Sequence, residues 1–163
     1  QLGALAAFTR AAGVELAHVK PHGALYNQAA KDHALAQAIA QAVKHFDRHL
    51  ILVGLAGSAL IEAGTEAGLR TANEGFPDRA YNADGTLRSR QLPGAVLESP
   101  EQAAAHALEL AREGIQVMLG DETKHVRVDT LCIHGDTPAA PQIAEAVHRA
   151  LTAQGIEVKA MAR

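Results

Sequence analysis

Three short polar runs in the sequence carry side chains that could do chemistry, and each follows an apolar stretch of strand length. They are Lys20-Pro21-His22-Gly23, Asn73-Glu74-Gly75 and His134-Gly135-Asp136-Thr137. Each contains a glycine, which lets a backbone or a ligand approach closely. Catalytic groups of α/β proteins gather at the carboxyl ends of parallel strands. We therefore predict that His22, Glu74 and His134 meet at that edge, in a hydrolase-like or lyase-like site that uses histidines and carboxylates.

Each of these side chains also has a purely structural interpretation. Asp136 is placed to cap the helix predicted after it, and Lys20 has the option of pairing with a nearby carboxylate. Asp78 and Arg79, which follow in the next loop, would form an exposed ion pair of little energetic value. Two histidines and an aspartate on different strands are a weak signal for a metal site, although both residue types are ordinary metal ligands. The residues alone leave these alternatives open.

Composition indicates one α/β domain with a sizeable core. The chain has 163 residues, of which 48% are apolar and 20% charged, and its formal net charge is −3. Its 15 basic and 18 acidic residues form no basic cluster, which argues against nucleic acid as a partner. No apolar run approaches the roughly 18 residues of a membrane span. The single cysteine, Cys132, cannot form an internal disulfide, which favours a reducing, cytoplasmic setting.

Helical and strand patterns alternate along the chain and must position the polar runs. The patterns predict helices over residues 2–12, 25–46, 58–67, 100–113 and 138–154, and strands over residues 14–20, 50–54, 69–73, 115–119, 126–133 and 156–159. Strands separated by such helices indicate a parallel sheet with right-handed crossovers. Residues 74–96 interrupt this alternation with prolines, glycines and a turn signal at residues 82–85. We predict that they form a lid-like excursion over the carboxyl edge.

Several motifs in this chain resemble those of the LamB/YcsF family. They are Val19-Lys20-Pro21-His22-Gly23-Ala24-Leu25-Tyr26-Asn27, then Glu74 with Asp78-Arg79-Ala80-Tyr81, then Gln91-Leu92-Pro93-Gly94-Ala95-Val96, and finally Cys132-Ile133-His134-Gly135-Asp136-Thr137-Pro138. The resemblance implies a (β/α) barrel of the glycoside hydrolase/deacetylase type, with residues 1–163 in a single domain. The family is longer, about 250 residues, a usual barrel size. Its N-terminal motifs do not occur here, so we expect a barrel incomplete at its N-terminus, of which this chain is the C-terminal two-thirds.

The resemblance also implies an activity. Members of the family are A-type subunits of 5-oxoprolinase, which opens 5-oxoproline (pyroglutamate) to L-glutamate with hydrolysis of ATP, together with B- and C-type subunits. ATP, with Mg²⁺ as its counter-ion, is then the expected cofactor, and no tightly bound metal is predicted. A five-membered lactam is an unstrained amide that resists water, which explains the need for ATP. Because part of the family's length is missing, we expect the chain alone to be inactive.

The family motifs and this chemistry suggest roles for particular side chains. The expected catalytic residues are His22, His134 and Asp136, where one histidine is the base and Asp136 orients an imidazole or a metal. The expected substrate-binding residues are Lys20, Tyr26, Asn27, Glu74, Asp78 and Arg79. Among these, Lys20 and Arg79 would neutralise a phosphate or a substrate carboxylate.

Two functions of other classes stay open on the sequence alone. A metal-dependent, deacetylase-like hydrolase would also place histidine and aspartate at the strand ends of such a barrel. A non-catalytic subunit that docks on other enzyme components and regulates them would instead expose apolar surface. An unpaired sheet edge would in addition allow the chain to associate into a homo-oligomer.

Overall fold

The computed structural model describes residues 1–119 and 121–161, which form two compact units. Unit 1 comprises residues 1–72 with residue 161, and unit 2 comprises residues 73–160. Each unit contains parallel strand pairing together with α-helices, so the predicted α/β class is confirmed. Within the described ranges, no helix is both long enough and apolar enough to cross a membrane.

Unit 1 is built around a buried parallel strand. Its elements are α1 (Leu2–Ala11), β1 (His18–Val19), α2 (Ala24–Ala29), α3 (His33–Phe46), β2 (Ile51–Leu55), α4 (Ala59–Glu66) and the first half of β3 (Arg70–Gly75). In the β1–β2 pair, His18 lies opposite Ile51 and Val19 opposite Leu52. All five residues of β2 are buried, as expected for a continuous apolar run in a parallel sheet.

Helix α4 packs against β2 and α3 packs against α4, and small buried residues of both helices join one core with β2. The buried stripe of α3 is Ala36, Ala40 and Val43, at helical spacing. In α4, a Cβ added at Gly64 would lie 2.8 Å from Thr71 Cγ2 and 3.0 Å from a Leu52 methyl carbon. The missing side chain at Gly64 therefore allows the helix to pack closely against the strands.

Unit 2 contains the second half of β3 and five further elements. These are α5 (Pro100–Glu113), β4 (Ile115–Leu119), β5 (Glu122–Val126), β6 (Thr130–Leu131) and α6 (Ala140–Ala153). Strands β3 and β6 pair in parallel, with Glu74 opposite Thr130 and Gly75 opposite Leu131. Helices α5 and α6 pack through a shared core that includes Ala103, Ala107, Ile143, Val147 and Leu151.

Three predictions for unit 1 and the start of α6 are corrected by the structure. The helix predicted over residues 25–46 is two helices, because the Asp32 carboxylate accepts a hydrogen bond from the Leu35 N–H and starts α3 anew. Only His18–Val19 of the predicted strand 14–20 pairs as a strand. The last helix is not capped by Thr137: its N-cap is Ala139, because the Thr137 carbonyl accepts from the Ala140 N–H in a preceding turn.

The strands after α5 also differ from the prediction. Strands β4 and β5 form an antiparallel two-stranded sheet of their own, so residues 115–119 do not belong to the parallel sheet. The strand predicted over residues 126–133 is divided between the end of β5 and the short β6. Residues 156–159 form no strand. Each error comes from the same source, since apolar content marks a buried segment but does not say which segment it pairs with.

Residues 76–98, hereafter the excursion, fold into a cross-linked loop. Two antiparallel bridges hold it, Arg79 with Val96 and Tyr81 with Leu87. At the tip of the inner hairpin, Gly85 has a φ of +77°, and a Cβ there would lie 2.6 Å from a methyl carbon of Val117. The turn predicted at residues 82–85 is therefore confirmed, and it requires glycine for both conformation and space.

Candidate functional site

The centre of the candidate site is a hydrogen-bonded pair formed by Asp78 and His134. Asp78 Oδ2 lies 2.7 Å from His134 Nδ1 and also accepts from the His134 backbone N–H at 3.1 Å. The register of the strands explains this contact. Gly75 lies opposite Leu131 in the parallel β3–β6 pair, and Asp78 and His134 each follow three residues later. Both side chains therefore emerge from the carboxyl edge of this pair of strands.

The pair has the charge and the proton arrangement of a histidine base with its orienting carboxylate. Burial works to raise the pKa of Asp78, but the hydrogen bonds from the His134 imidazole and N–H outweigh it, so the pKa lies below its usual value. The ionised Asp78 can only accept, so Nδ1 carries a proton, and in the neutral imidazole Nε2 is then the nitrogen with the free lone pair. The side chain of Asp78 is 4% exposed and that of His134 26% exposed. His134 Nε2 is thus the atom suited to take a proton from a reacting group.

Aromatic residues of the excursion and α5 hold this pair in place. The Phe76 ring stacks on the His134 imidazole, with centroids 5.4 Å apart and planes at 19°. The Phe76 N–H donates to Tyr81 Oη at 2.6 Å. The His106 ring meets the edge of Tyr81, and its Nδ1 bonds to the Pro77 carbonyl at 3.1 Å. Burial raises the pKa of Tyr81 far above its usual value, so its hydroxyl stays neutral.

Two arginines of the excursion are used in different ways. Arg79 is buried, and its guanidinium donates to the carbonyl oxygens of Ala95 at 3.3 Å and Arg88 at 2.6 Å. Arg90 is partly exposed, and its Nη1 contacts Asp136 Oδ2 at 2.6 Å. The hydrogen bond from Arg90 lowers the pKa of Asp136. Arg79 therefore ties the excursion together, whereas Arg90 lies at its accessible surface.

The predicted site residues of unit 2 come together only in part. Glu74, inside β3, is 4% exposed, and its backbone lies at the same edge as Asp78 and His134. Asp136 contacts Arg90, and the carboxylate that holds the imidazole is Asp78. The role that the sequence suggested for Asp136 is thus filled structurally by a residue 56 positions from the histidine. A catalytic role for Asp136 and substrate binding by Glu74 and Arg79 stay predictions.

The predicted site residues of unit 1 lie just after β1. Lys20 Nζ is 5.8 Å from the centroid of the buried Tyr26 ring, a cation–π arrangement. Asn27 donates weakly to the Gly23 carbonyl at 3.4 Å, and His22 is exposed. The expectation that His22 joins Glu74 and His134 concerns both units and stays a prediction, as do the roles of Lys20, Tyr26 and Asn27.

Sequence reasoning missed Phe76, His106 and Arg90. Phe76 immediately precedes the Pro77-Asp78-Arg79 run, so an aromatic residue beside a motif was the available signal. His106 lies in α5 at an unremarkable helical position, and its contact with Pro77 spans 29 residues. The contact of Arg90 with Asp136 spans 46 residues. Neither of these contacts leaves a local sequence pattern.

The described residues offer few places to hold a metal or a nucleotide. In the described ranges, no three histidine, cysteine, aspartate or glutamate side chains are grouped as a metal site. Of the two arginines near His134, Arg79 is committed to two backbone carbonyls, and only Arg90 is placed to bind an anion. The residues of unit 2 described so far do not fit a triphosphate, which requires several donors.

A separate cavity of about 410 Å³ lies beside β6 and contains none of the predicted site residues. Its walls are largely apolar and include Val128, Leu131, Val147 and Leu151. A pocket usually marks a ligand site when polar groups with perturbed pKa values converge in it. Here those groups lie instead around Asp78, so we place the functional site at the Asp78–His134 pair.

Comparison with known proteins gives the family. The whole chain, residues 1–163, matches the LamB/YcsF family. A Tolumonas auensis protein, named as the A subunit of 5-oxoprolinase, is 54% identical over 161 residues, covering 99% of this chain and 64% of that protein. A Pyrococcus furiosus protein of the same name is 47% identical over 161 residues, covering 99% and 63%. The crystal structure of a lactam utilization protein from Thermus thermophilus gives a TM-score of 0.85 at 49% identity, covering 99% of this chain and 64% of that one.

These relatives confirm the resemblance seen in the motifs. The chain spans about 64% of the length of the Tolumonas protein and of the Thermus structure. The similarity extends over nearly all of the chain, from unit 1 through the Asp78–His134 pair to α6. The chain belongs to the LamB/YcsF family.

Proposed function

We propose that this chain is part of the A subunit of an ATP-dependent 5-oxoprolinase, which opens 5-oxoproline to L-glutamate. The observation that carries the proposal is the Asp78–His134 pair at the carboxyl edge of β3 and β6. This pair supplies a base that can take a proton from a water molecule. The chain that contains it is about half identical to proteins named as A subunits of 5-oxoprolinase. Opening an amide needs such a base together with a group that stabilises it as it becomes charged.

The geometry supports complementary roles for the two residues. His134 Nε2 takes the proton from a water molecule as the water attacks the lactam carbonyl carbon. The imidazole then becomes positively charged, and the ionised Asp78 stabilises this charge through Nδ1. The proton passes from Nε2 to the ring nitrogen as the C–N bond breaks. Stacking on Phe76 fixes the plane of the ring. Because Asp78 is buried, its negative charge acts on the imidazole with little screening by water.

The remaining parts of the activity belong to the assembled enzyme. ATP with Mg²⁺, when bound there, would supply a phosphoryl group that makes the lactam carbonyl more electrophilic. B- and C-type subunits are the proposed partners. The substrate site is proposed to be completed by His22, Lys20, Tyr26, Asn27 and Glu74. We further propose that the whole protein is a cytoplasmic (β/α) barrel of the glycoside hydrolase/deacetylase type, and that the present chain is inactive alone.

Glutamate release tests the proposal. The whole protein is combined with B- and C-type subunits, 5-oxoproline and ATP. His134→Gln is expected to lower the rate roughly 10²- to 10⁴-fold. Asp78→Asn should lower it by up to about 10⁴-fold, because an amide no longer fixes the proton on Nδ1. The matched control is His148→Gln, because His148 is exposed on α6, and its rate should equal that of the unmodified protein. No turnover by the complete mixture would refute the function, and full activity of His134→Gln would refute the assigned base.

The same mixture separates the two other functional classes. A divalent ion bound stoichiometrically and required for turnover would favour the deacetylase-like hydrolase. Undiminished turnover by the partner subunits without this protein would favour a regulatory role. Turnover by the present chain alone would contradict its proposed inactivity.

A further inference from the structure

We infer that Arg90 is the residue that binds the carboxylate of the cyclic-amide substrate, and that Asp136 occupies this position when no substrate is bound. The inference rests on the proposed function and adds a specificity-determining residue to it. The observation behind it is the contact of Arg90 Nη1 with Asp136 Oδ2 at 2.6 Å, two residues after His134. A carboxylate held by Arg90 in place of Asp136 would lie close to the imidazole.

The energetics favour Arg90 over Arg79 for this role. The side chains of Arg90 and Asp136 are 41% and 60% exposed, and ion pairs this exposed to water contribute little to stability. A substrate carboxylate can displace Asp136 at little cost, since Asp136 is then solvated by water. Recruiting Arg79 would leave the backbone carbonyls of Arg88 and Ala95 without their donor, which is costly for buried groups. Arg90 is thus the exchangeable cation, and Arg79 is fixed.

The chemistry of the ligand fits the position of Arg90. The guanidinium of arginine is a planar donor that matches a carboxylate with two parallel hydrogen bonds. In 5-oxoproline the carboxylate and the amide carbonyl flank the ring nitrogen on its two sides. One end of the substrate would therefore contact Arg90 while the carbonyl to be attacked faces the imidazole of His134. A lactam without the carboxylate would lose the first of these contacts and keep the second.

Binding measurements on the whole protein test the inference directly. Dissociation constants are measured for 5-oxoproline and for 2-pyrrolidinone, which is the same lactam without the carboxylate. Arg90→Gln is expected to weaken 5-oxoproline binding roughly 10- to 100-fold and to change 2-pyrrolidinone binding less than about twofold. Asp136→Asn should act in the opposite direction and tighten 5-oxoproline binding about two- to fivefold, because a competitor for Arg90 is removed. Arg149→Gln, which removes another arginine of an exposed ion pair, should change neither constant.

Several outcomes would overturn the inference. They are an unmodified protein that does not bind 5-oxoproline, an Arg90→Gln protein that binds it equally well, and equal losses for the two lactams. ADP tests whether Arg90 binds a phosphate group and not a carboxylate. If Arg90→Gln weakens the binding of ADP and leaves the binding of 5-oxoproline unchanged, Arg90 binds phosphate and the inference is wrong. Failure of the proposed function can be distinguished from failure of this inference. Binding of 5-oxoproline that depends on Arg90, without any glutamate release, would refute the activity and leave the carboxylate site intact.

Discussion

Strand β2 and residues 74–79 are both buried segments of similar length, but they are buried for different reasons. All five residues of β2 are apolar and inaccessible. Residues 74–79 contain Glu74, Asp78 and Arg79, three of the four polar or charged side chains buried among the described residues. Burying apolar surface stabilises a protein without requiring a particular orientation of the side chains, whereas each buried polar group needs a specific hydrogen-bond partner. The first segment therefore gives stability, and the second gives a fixed geometry.

The two segments also differ in the partners of their backbone and side-chain hydrogen-bonding groups. The β1–β2 pair relies on the ladder of a parallel sheet. Residues 76–79 rely in addition on side chains outside the segment. The Tyr81 hydroxyl accepts from the Phe76 N–H, the His106 ring bonds to the Pro77 carbonyl, and the His134 ring bonds to Asp78. Substitutions should consequently lower stability by different mechanisms in the two segments.

The largest loss of stability should follow from truncating a core side chain of β2. Leu52 is fully buried in the core of unit 1, so Leu52→Ala is expected to lower the free energy of unfolding by about 2–5 kcal/mol. Urea denaturation of the whole protein measures this change. Leu5→Ala, at a side chain that is 53% exposed, should change the value by less than about 0.5 kcal/mol. Equal losses at both leucines would contradict the assignment of β2 as core.

A somewhat smaller loss is expected from Arg79→Met, which keeps much of the side-chain volume but removes its donors. The Ala95 and Arg88 carbonyls lose their partner, and the free energy of unfolding should fall by about 2–4 kcal/mol. Arg149→Met is the control, because Arg149 is exposed. If Arg79→Met were as stable as the control, the excursion would not depend on this guanidinium.

Removing one hydroxyl should have a smaller and more local effect. Tyr81→Phe leaves the Phe76 N–H without its acceptor, at an expected cost of about 1–2 kcal/mol. Hydrogen exchange should show faster exchange of the Phe76 amide, while the Leu52 amide in β2 keeps its local protection. Unchanged exchange at Phe76 would show that this hydrogen bond does not hold the segment.

The smallest effect is the acid sensitivity contributed by Asp78. Its pKa is lower in the folded protein than the usual value of about 3.9. The corresponding stability is complete above that usual value and is lost as the pH falls through the folded pKa. Asp78→Asn lacks this component, so its free energy of unfolding should fall less steeply between about pH 5 and about pH 2. Asp32→Asn, which preserves a helix cap, is the control substitution, and parallel curves for Asp78→Asn and the unmodified protein would contradict the prediction.

The elements that could be predicted from the sequence are those with local signals. Strand β2 is a continuous apolar run. Helices α4 and α5 have apolar periodicity and N-caps at Ser58 and Ser99, whose side chains accept from N–H groups in the first turn. The antiparallel pair of β4 and β5 has no comparable signal, because the apolar–polar alternation in residues 122–126 is weak and most of them are exposed. Local patterns indicate where a strand lies and leave its partner undetermined.

The site was predictable in its composition and not in its pairing. The positions of His134 and Glu74 at strand ends followed from apolar runs, and the structure confirms the edge at which these two residues lie. The choice of Asp78 as the partner of His134 depends on β3 and β6 being neighbours in register. That fact arises from packing of the whole unit, so the nearer Asp136 was the natural sequence-based choice for the orienting carboxylate.

The excursion contains an exposed stretch, residues 89–94, between two residues whose backbone is anchored. Arg79 binds the carbonyls of Arg88 and Ala95, and residues 89–94 between these two anchors are all exposed. Apart from Gly94, whose φ of +71° favours glycine, the side chains of this stretch are exposed, so substitutions there should cost little stability. If Arg90 binds the substrate carboxylate, as we infer, a few substitutions in this stretch would change which small cyclic amides bind, while Asp78 and His134 stay the same.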